Sequence, residues 1–348
     1  MMNFIREAAR RFGLPRLIIA LFLSSLFVIA PFVGVRVDTS LSDVFVRFGM
    51  NGIMVLAMIP MIQSGCGLNF GLPLGVIAGL IGACISLELD VAGFPGFALA
   101  ILISIPFAVG LGLFYAQILN RVKGSEMMIA TYVGFFVVAL MCLGWTLLPF
   151  RSPVMVWGYG GDGLRTTISV EGHWIKILDN FLSFNLGGHF FFPTGMYLFM
   201  AAIALIVNFF MRTKTGAEMA AAGTNPDFAR ASGVDVDRMR TLSVVMSTVL
   251  GAIGILVYEQ SFGFIQLYMA PFYMAFPAVA AILLGGASIR KAGLANVVVG
   301  TFLFQGIVTM TPSVINSMIE SDMSEVLRIV ISNGMILYAL TRREAVRR

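Results

Sequence analysis

The sequence predicts an all-α integral membrane protein with about ten transmembrane helices and both termini in the cytoplasm. Three observations carry this: the composition, the spacing of apolar stretches, and the placement of basic residues. Of 348 residues, 58% are hydrophobic and 12% charged, against about 25% charged in a typical soluble domain. A soluble fold of this size has too few charged side chains to cover its exterior. A bilayer removes that demand, because it solvates apolar surface and requires only that backbone groups be paired. The 37 glycines suit the same setting, where small residues let helices approach closely.

Ten apolar stretches follow in order, at 17–35, 44–62, 70–88, 94–118, 126–149, 193–212, 241–261, 270–287, 292–311 and 325–341. Each is near the roughly 20 residues that span a hydrocarbon core of about 30 Å. With the N-terminus inside, 17 of the 23 basic residues fall on inner segments. These are Arg6 to Arg16, Arg121 and Lys123, Arg212 to Arg240, Arg290 and Lys291, and Arg342 to Arg348. Glu88, Asp90, Glu320 and Asp322 fall outside. That asymmetry sets the orientation and favours an even number of crossings. It also accounts for the net charge of +5 without nucleic acid as a partner; the lipid bilayer is the partner it implies.

The first stretch follows four arginines, as a signal peptide does. Its length and the pairing of Ala30 with Pro31 favour a retained helix. Residues Phe4, Ile5, Ala8 and Phe12 share one helical face, which fits either a helix lying on the inner surface or a basic tail. Cys66, Cys84 and Cys142 lie in or beside apolar stretches without metal-ligand spacing, and His173 and His189 stand in one loop without ligand partners. No metal site and no cofactor are expected. In the outer loop, 150–192, Trp174, Ile177, Leu178 and Phe181 have helical spacing. An interfacial helix or an ordered cap over the outer face satisfies this pattern.

The inner loop, 213–240, is the most polar part of the chain. Ala217 to Ala222 continue the sixth stretch as helix until Gly223 interrupts it. Asn225 is an N-cap, Pro226 suits the first helical position, and Asp227 complements the positive helix end. A short helix over 226–232 then ends at Gly233, and Asp235 caps the next. A short, doubly capped helix on a cytoplasmic loop presents a compact surface to a cytosolic partner; the alternative is a well-capped connector.

This segment, GTNPDFARASGVDV, resembles the coupling segment of ribose-type permeases of bacterial ABC importers, through Gly223, Asn225-Pro226, Ala229-Arg230 and Gly233-Val234. That family handles simple sugars, autoinducer-2, nucleosides, riboflavin and, more distantly, branched-chain amino acids. SGCGLNFGLPLGVIAGLIGA (64–83) and LLGGASIRKAG (283–293) are similar to further family segments, and the resemblance covers most of the chain. It implies a single permease domain over 1–348, working in the bacterial cytoplasmic (inner) membrane beside a second, identical or homologous permease. Cytosolic ABC ATPase subunits would dock on Gly223, Asn225, Pro226, Asp227, Ala229, Arg230 and Gly233. An extracytoplasmic solute-binding protein would deliver a small polar solute, a simple sugar first and a nucleoside or autoinducer-2 next. ATP hydrolysis belongs to the partner, since this chain has no G-x-x-x-x-G-K-[ST] sequence and is not itself an enzyme.

Glycine-interrupted spans in corresponding halves point to the transport path. Gln63, Gly65, Gly67, Asn69 and Phe70 follow the second stretch; Gln260 and Phe264 follow the seventh, which runs the opposite way. That pairing is compatible with inverted-repeat halves, which the family resemblance implies. The same glycines and amides equally serve close packing and repair of broken backbone. Asn51 and Gln305 are weaker candidates for interhelical hydrogen bonds, and Glu259 and Arg328 stand near outer helix ends. No carboxylate or lysine sits mid-span, which weighs against an ion-coupled secondary transporter, the alternative of a different class.

Overall fold

The computed structural model describes residues 14–157 and 163–318, and within 326–335 all but 328 and 332. The N-terminal dozen residues, Arg328, and most of the tenth stretch lie outside the described residues.

Among the described residues, seven helices are long and apolar enough to cross a membrane. The first is α1 (Leu14–Ile29), extended by a 3-10 turn. The second is α2 (Val37–Leu56) with α3 (Met58–Gln63), one apolar run of 27 residues. Then come α5 (Gly93–Arg121) and α6 (Glu126–Leu147), α8 (Thr194–Met211), α11 (Val236–Phe262) and α14 (Leu294–Met318). Two shorter apolar helices complete the set: α4 (Leu72–Glu88), and α12 (Ala270–Tyr273) running into α13 (Ala275–Leu284). Each matches one of the first nine expected stretches. The second and seventh begin earlier than expected, at Val37 and Val236, which draws Asp38, Asp43 and Arg240 into helix.

Burial sorts these helices. α4 is apolar all round and buried along nearly its whole length, as a helix surrounded by helices must be. It packs backbone to backbone on its neighbours: a methyl group on Gly75 would lie 2.5 Å from the Thr248 carbonyl oxygen of α11. α2 and α11 share this centre. The outer helices turn large apolar side chains outward, including Leu21 and Phe22 on α1, Phe136 and Leu143 on α6, and Leu205 and Phe209 on α8. α1 is held by its other face, where Leu23 and Leu26 pack with Leu303 and Ile307 of α14.

The connections collect at two ends. At the basic end, Lys123 pairs with Asp237 and Arg240 with Glu126, both at 2.7 Å, and Gln63 donates to the Ala292 carbonyl at 2.7 Å. These contacts draw together 120–126, 213–240, 285–293 and the break after α3. At the opposite end, Glu88 accepts from the Arg151 and Ser152 amides, and Asp90 lies 3.0 Å from His173. There β1 (Thr167–Ser169) pairs antiparallel with β4 (Phe264–Gln266), Ile168 opposite Ile265. A hairpin of β2 (Phe184–Leu186) and β3 (Phe190–Phe192) lies at the same end.

Of the two readings of the loop 150–192, its described residues fit the ordered cap and not an interfacial helix. Among its described residues only α7 (Ile177–Asn180) is helical. Left-handed backbone at Gly172, Lys176 and Leu182 stops a longer helix. Trp174 and Leu178, expected on a membrane-facing stripe, are buried in the core, Trp174 against Phe97.

Candidate functional site

The polar loop folds as three helices. α8 ends at Met211, and Thr213 caps a new helix, α9 (Lys214–Thr224), by accepting from the Gly216 amide at 3.3 Å. The sixth span therefore does not continue into 217–222 as expected. The turn is sharp enough that a methyl group on Gly216 would lie 2.5 Å from the Met211 Cα. Nor does Gly223 interrupt α9, which runs through it to Thr224.

The short helix α10 (Pro226–Ala231) stands as its sequence dictates, one residue shorter than expected. Asn225 Oδ1 accepts from the Phe228 amide at 3.1 Å, and Pro226 opens the helix. At the other end Gly233 has φ of +83°. Its amide donates to Arg230 and the Val234 amide to Ala229, at 3.0 and 2.9 Å, the paired bonds of a Schellman stop. Asp235 then caps α11 through the Arg238 amide at 3.0 Å.

Ala229 alone of α10 is buried, among Met219, Ala222, Val236 and Met239. Asn225, Pro226, Asp227, Phe228 and Arg230 are exposed, Phe228 to 66%. Asp227 and Arg230 pair on the surface at 3.5 Å. A helix held by one methyl group offers the rest of its surface, with an aromatic ring among charges, to whatever meets it.

The break after α3 lies at the same end. Gly65 and Gly67 have φ of +79° and +81°, a backbone that side chains oppose. They border a cavity of about 810 Å³, lined also by Cys66, Glu126, Met127, Ser288 and Arg290. Asn69 is wholly buried: its amide donates to Ser247 Oγ at 2.7 Å, and its oxygen accepts from Tyr115 at 3.3 Å. The Ser247 hydroxyl in turn donates to the Ala57 carbonyl, where α2 gives way to α3. The Asn69 side chain thus reaches the α2–α3 junction only through Ser247. Phe70 is half-buried, 5.8 Å from the Phe276 ring.

Gln260 and Phe264 are not part of this site. Ser247, which holds Asn69, and Gln260 are 13 positions apart on α11, about 20 Å at 1.5 Å per residue. Gln260 is buried, donating to Asp179 at 2.9 Å and accepting from the Leu178 amide at 3.1 Å. Ser261 donates to the other Asp179 oxygen. Burial pushes the Asp179 carboxyl above its ordinary range, and these two hydrogen bonds oppose the rise. Phe264 lies in β4, half-exposed, opposite Ser169. Both residues fasten the cap. Asn51 bonds its own helix, at the Arg47 carbonyl.

A family model described as branched-chain amino acid transport system, permease component, matches residues 40–340. The chain belongs to this family of ABC-transporter permeases. It is a multi-pass membrane protein of the permease component. The nucleoside ABC transporter permease protein NupB of Lactococcus lactis subsp. cremoris (strain MG1363) is 28% identical over 168 residues, covering 47% of this chain. The match spans 42% of that protein's length. No solved structure matches the chain.

Several residues of the permease escaped the sequence reading. Ser243 and Ser247 stand four apart on α11 and so share a face, Ser243 meeting Ser64 and Ser247 meeting Asn69. That spacing was legible; the partners were not. Glu259 is buried with neither carboxylate oxygen hydrogen-bonded, more enclosed than its place near a helix end suggests. Among the described residues, no group of three His, Cys, Asp or Glu side chains could hold a metal ion.

Proposed function

We propose that this chain is the transmembrane permease of an ATP-driven importer for a small polar solute, with α10 as the surface on which a cytosolic ABC ATPase docks. The exposed, doubly capped α10 carries this reading. It is rigid, stands at the basic end, and leaves Asn225, Pro226, Asp227, Phe228 and Arg230 open to a partner. By the distribution of basic residues that end faces the cytoplasm. The chain then crosses the bacterial cytoplasmic membrane ten times with both termini inside, as one domain with inverted-repeat halves. A second permease completes the path, and a solute-binding protein delivers cargo to the capped end. Gly65, Gly67 and Phe70 line the cytoplasmic part of the path, beside the cavity at the break.

A simple sugar is the first cargo. A nucleoside is the second reading, favoured by the named relative. Reconstitution in vesicles with candidate ATP-binding and solute-binding subunits from the same organism tests both, using labelled ribose and uridine. Uptake of either is expected to require ATP, and substitution of Asn225 and Gly233 to weaken ATPase association. Association and uptake indifferent to those substitutions would contradict the docking role. Uptake by the chain alone, driven by a proton or sodium gradient, would establish a secondary transporter instead.

A further inference from the structure

Gly223 is not on the docking surface. It is buried, three residues before α10, against the backbone of the break. A methyl group there would lie 2.7 Å from the Gly65 nitrogen and 2.8 Å from the Ser64 carbonyl carbon, and would strike the Gln63 carbonyl oxygen. One on Gly65 would lie 2.9 Å from the Gly223 Cα. Two backbones therefore touch with no side chain between them, a contact that offers no flexible atoms to absorb a shift.

This junction has two further ties. The Ser64 and Ser243 hydroxyls share a hydrogen bond of 2.6 Å, joining the break to α11. Gln63 Nε2 donates to the Ala292 carbonyl, joining it to the turn at 288–292. The two segments so joined, 65–67 and 288–290, both line the 810 Å³ cavity. α10, by contrast, is anchored by Ala229 alone.

We propose that the Gly223 to Gln63–Gly65 backbone contact is a strut that passes movement of α10 to the walls of this cavity, with Gly223, Ser64 and Ser243 as positioning residues. The inference rests on the docking role of α10 proposed above. Displacement of α10 carries the C-terminal end of α9 with it. The strut moves the break, and Gln63 carries the 288–292 turn in step. Packed interiors respond to such pushes by switching between discrete arrangements rather than by deforming smoothly.

Cys66 supplies a readout that needs no knowledge of the cargo. It is 2% exposed and borders the cavity, directly after the strut. With Cys84→Ser and Cys142→Ser removing the other thiols, the permease is assembled with the ATP-binding subunit used in the reconstitution above. Alkylation of Cys66 by N-ethylmaleimide is timed without nucleotide and with ATP trapped by vanadate. The expected result is a change in rate of about fivefold or more on trapping. In Gly223→Ala, the ATP-binding subunit still associates and hydrolyses ATP, but the Cys66 rate changes less than twofold. In Ser243→Ala, which tests the strut should Gly223→Ala fail to accumulate, the response falls to two- to threefold.

A Cys66 rate indifferent to nucleotide in the parent complex overturns the proposal. So does a full response retained in Gly223→Ala, or in Ser243→Ala where that variant decides. A proportional loss of assembly, hydrolysis and response in Gly223→Ala also overturns it, by reducing Gly223 to a structural role. Failure of the ATP-binding subunit to associate with the parent chain is a separate result; it sinks the docking reading, and the strut with it.

Discussion

The two ends of the molecule spend their polar groups differently. At the capped end, Gln260, Ser261 and Asp179 bond one another in a buried cluster, and β1 and β4 sew the long loop to the end of α11. At the basic end, α10 is capped by its own residues and leaves its outer surface unspent. Below it, glycine backbones meet without side chains to cushion them. A buried network of satisfied groups specifies one arrangement, whereas a self-contained helix on a single anchor leaves most of its surface exposed. One end is built as a lid on the bundle; the other, on the docking role proposed for α10, is a socket for a partner.

The largest test of this contrast is Phe228→Asp. It removes the most exposed ring of α10 and adds a charge, so the ATP-binding subunit should lose about 30-fold or more in affinity, as at an interface hot spot worth about 2 kcal/mol. Size-exclusion chromatography should show the variant permease itself unchanged. Equal affinity would break the comparison at its socket end.

Gln260→Ala should act at the other end alone. It strands the Leu178 amide and one Asp179 oxygen, at about 1–3 kcal/mol for each buried group left unpaired. Faster proteolysis within 150–192 and altered Trp174 fluorescence are expected, with ATPase affinity within twofold of the parent. Loss of docking in this variant would show that the two ends are not separable.

Asn225→Ala removes one cap, at about 1 kcal/mol. It should weaken docking about fivefold without altering the cap's proteolysis. The smallest effect is a pH dependence. Because the folded-state pKa of Asp179 is raised, the folded cap holds a proton that the unfolded chain has released. Its stabilisation is therefore full below the ordinary value of 3.8 and declines as pH rises from there through the raised value. Thermal unfolding followed by Trp174 fluorescence should show this slope in the parent and not in Asp179→Asn.

Much of the bundle was legible because apolar length and basic placement are local properties of the chain. The caps of α10 were legible for the same reason, since Asn225, Pro226 and Gly233 act within a few residues of themselves. What could not be read were contacts between elements far apart in the chain, such as Gln260 with Asp179, 81 positions away. Gly223 looked like a helix stop, because glycine usually is one after an alanine run; its contact with Gln63–Gly65 lies on another element. Gln260 looked like a path residue because it follows a span beside glycine, yet its partner is Asp179 in the cap. The spacing of Trp174, Leu178 and Phe181 suggested an amphipathic helix, but the burial that explains the first two comes from the core beneath them.

The most direct test of the account is a photo-crosslinking amino acid placed at position 228 and, separately, at position 184, both exposed and at opposite ends of the molecule. In cells co-expressing the ATP-binding subunit used in the reconstitution, illumination should join that subunit to position 228 and not to position 184. A crosslink at 184, or none at 228 in a permease that is inserted and folded, would contradict the account.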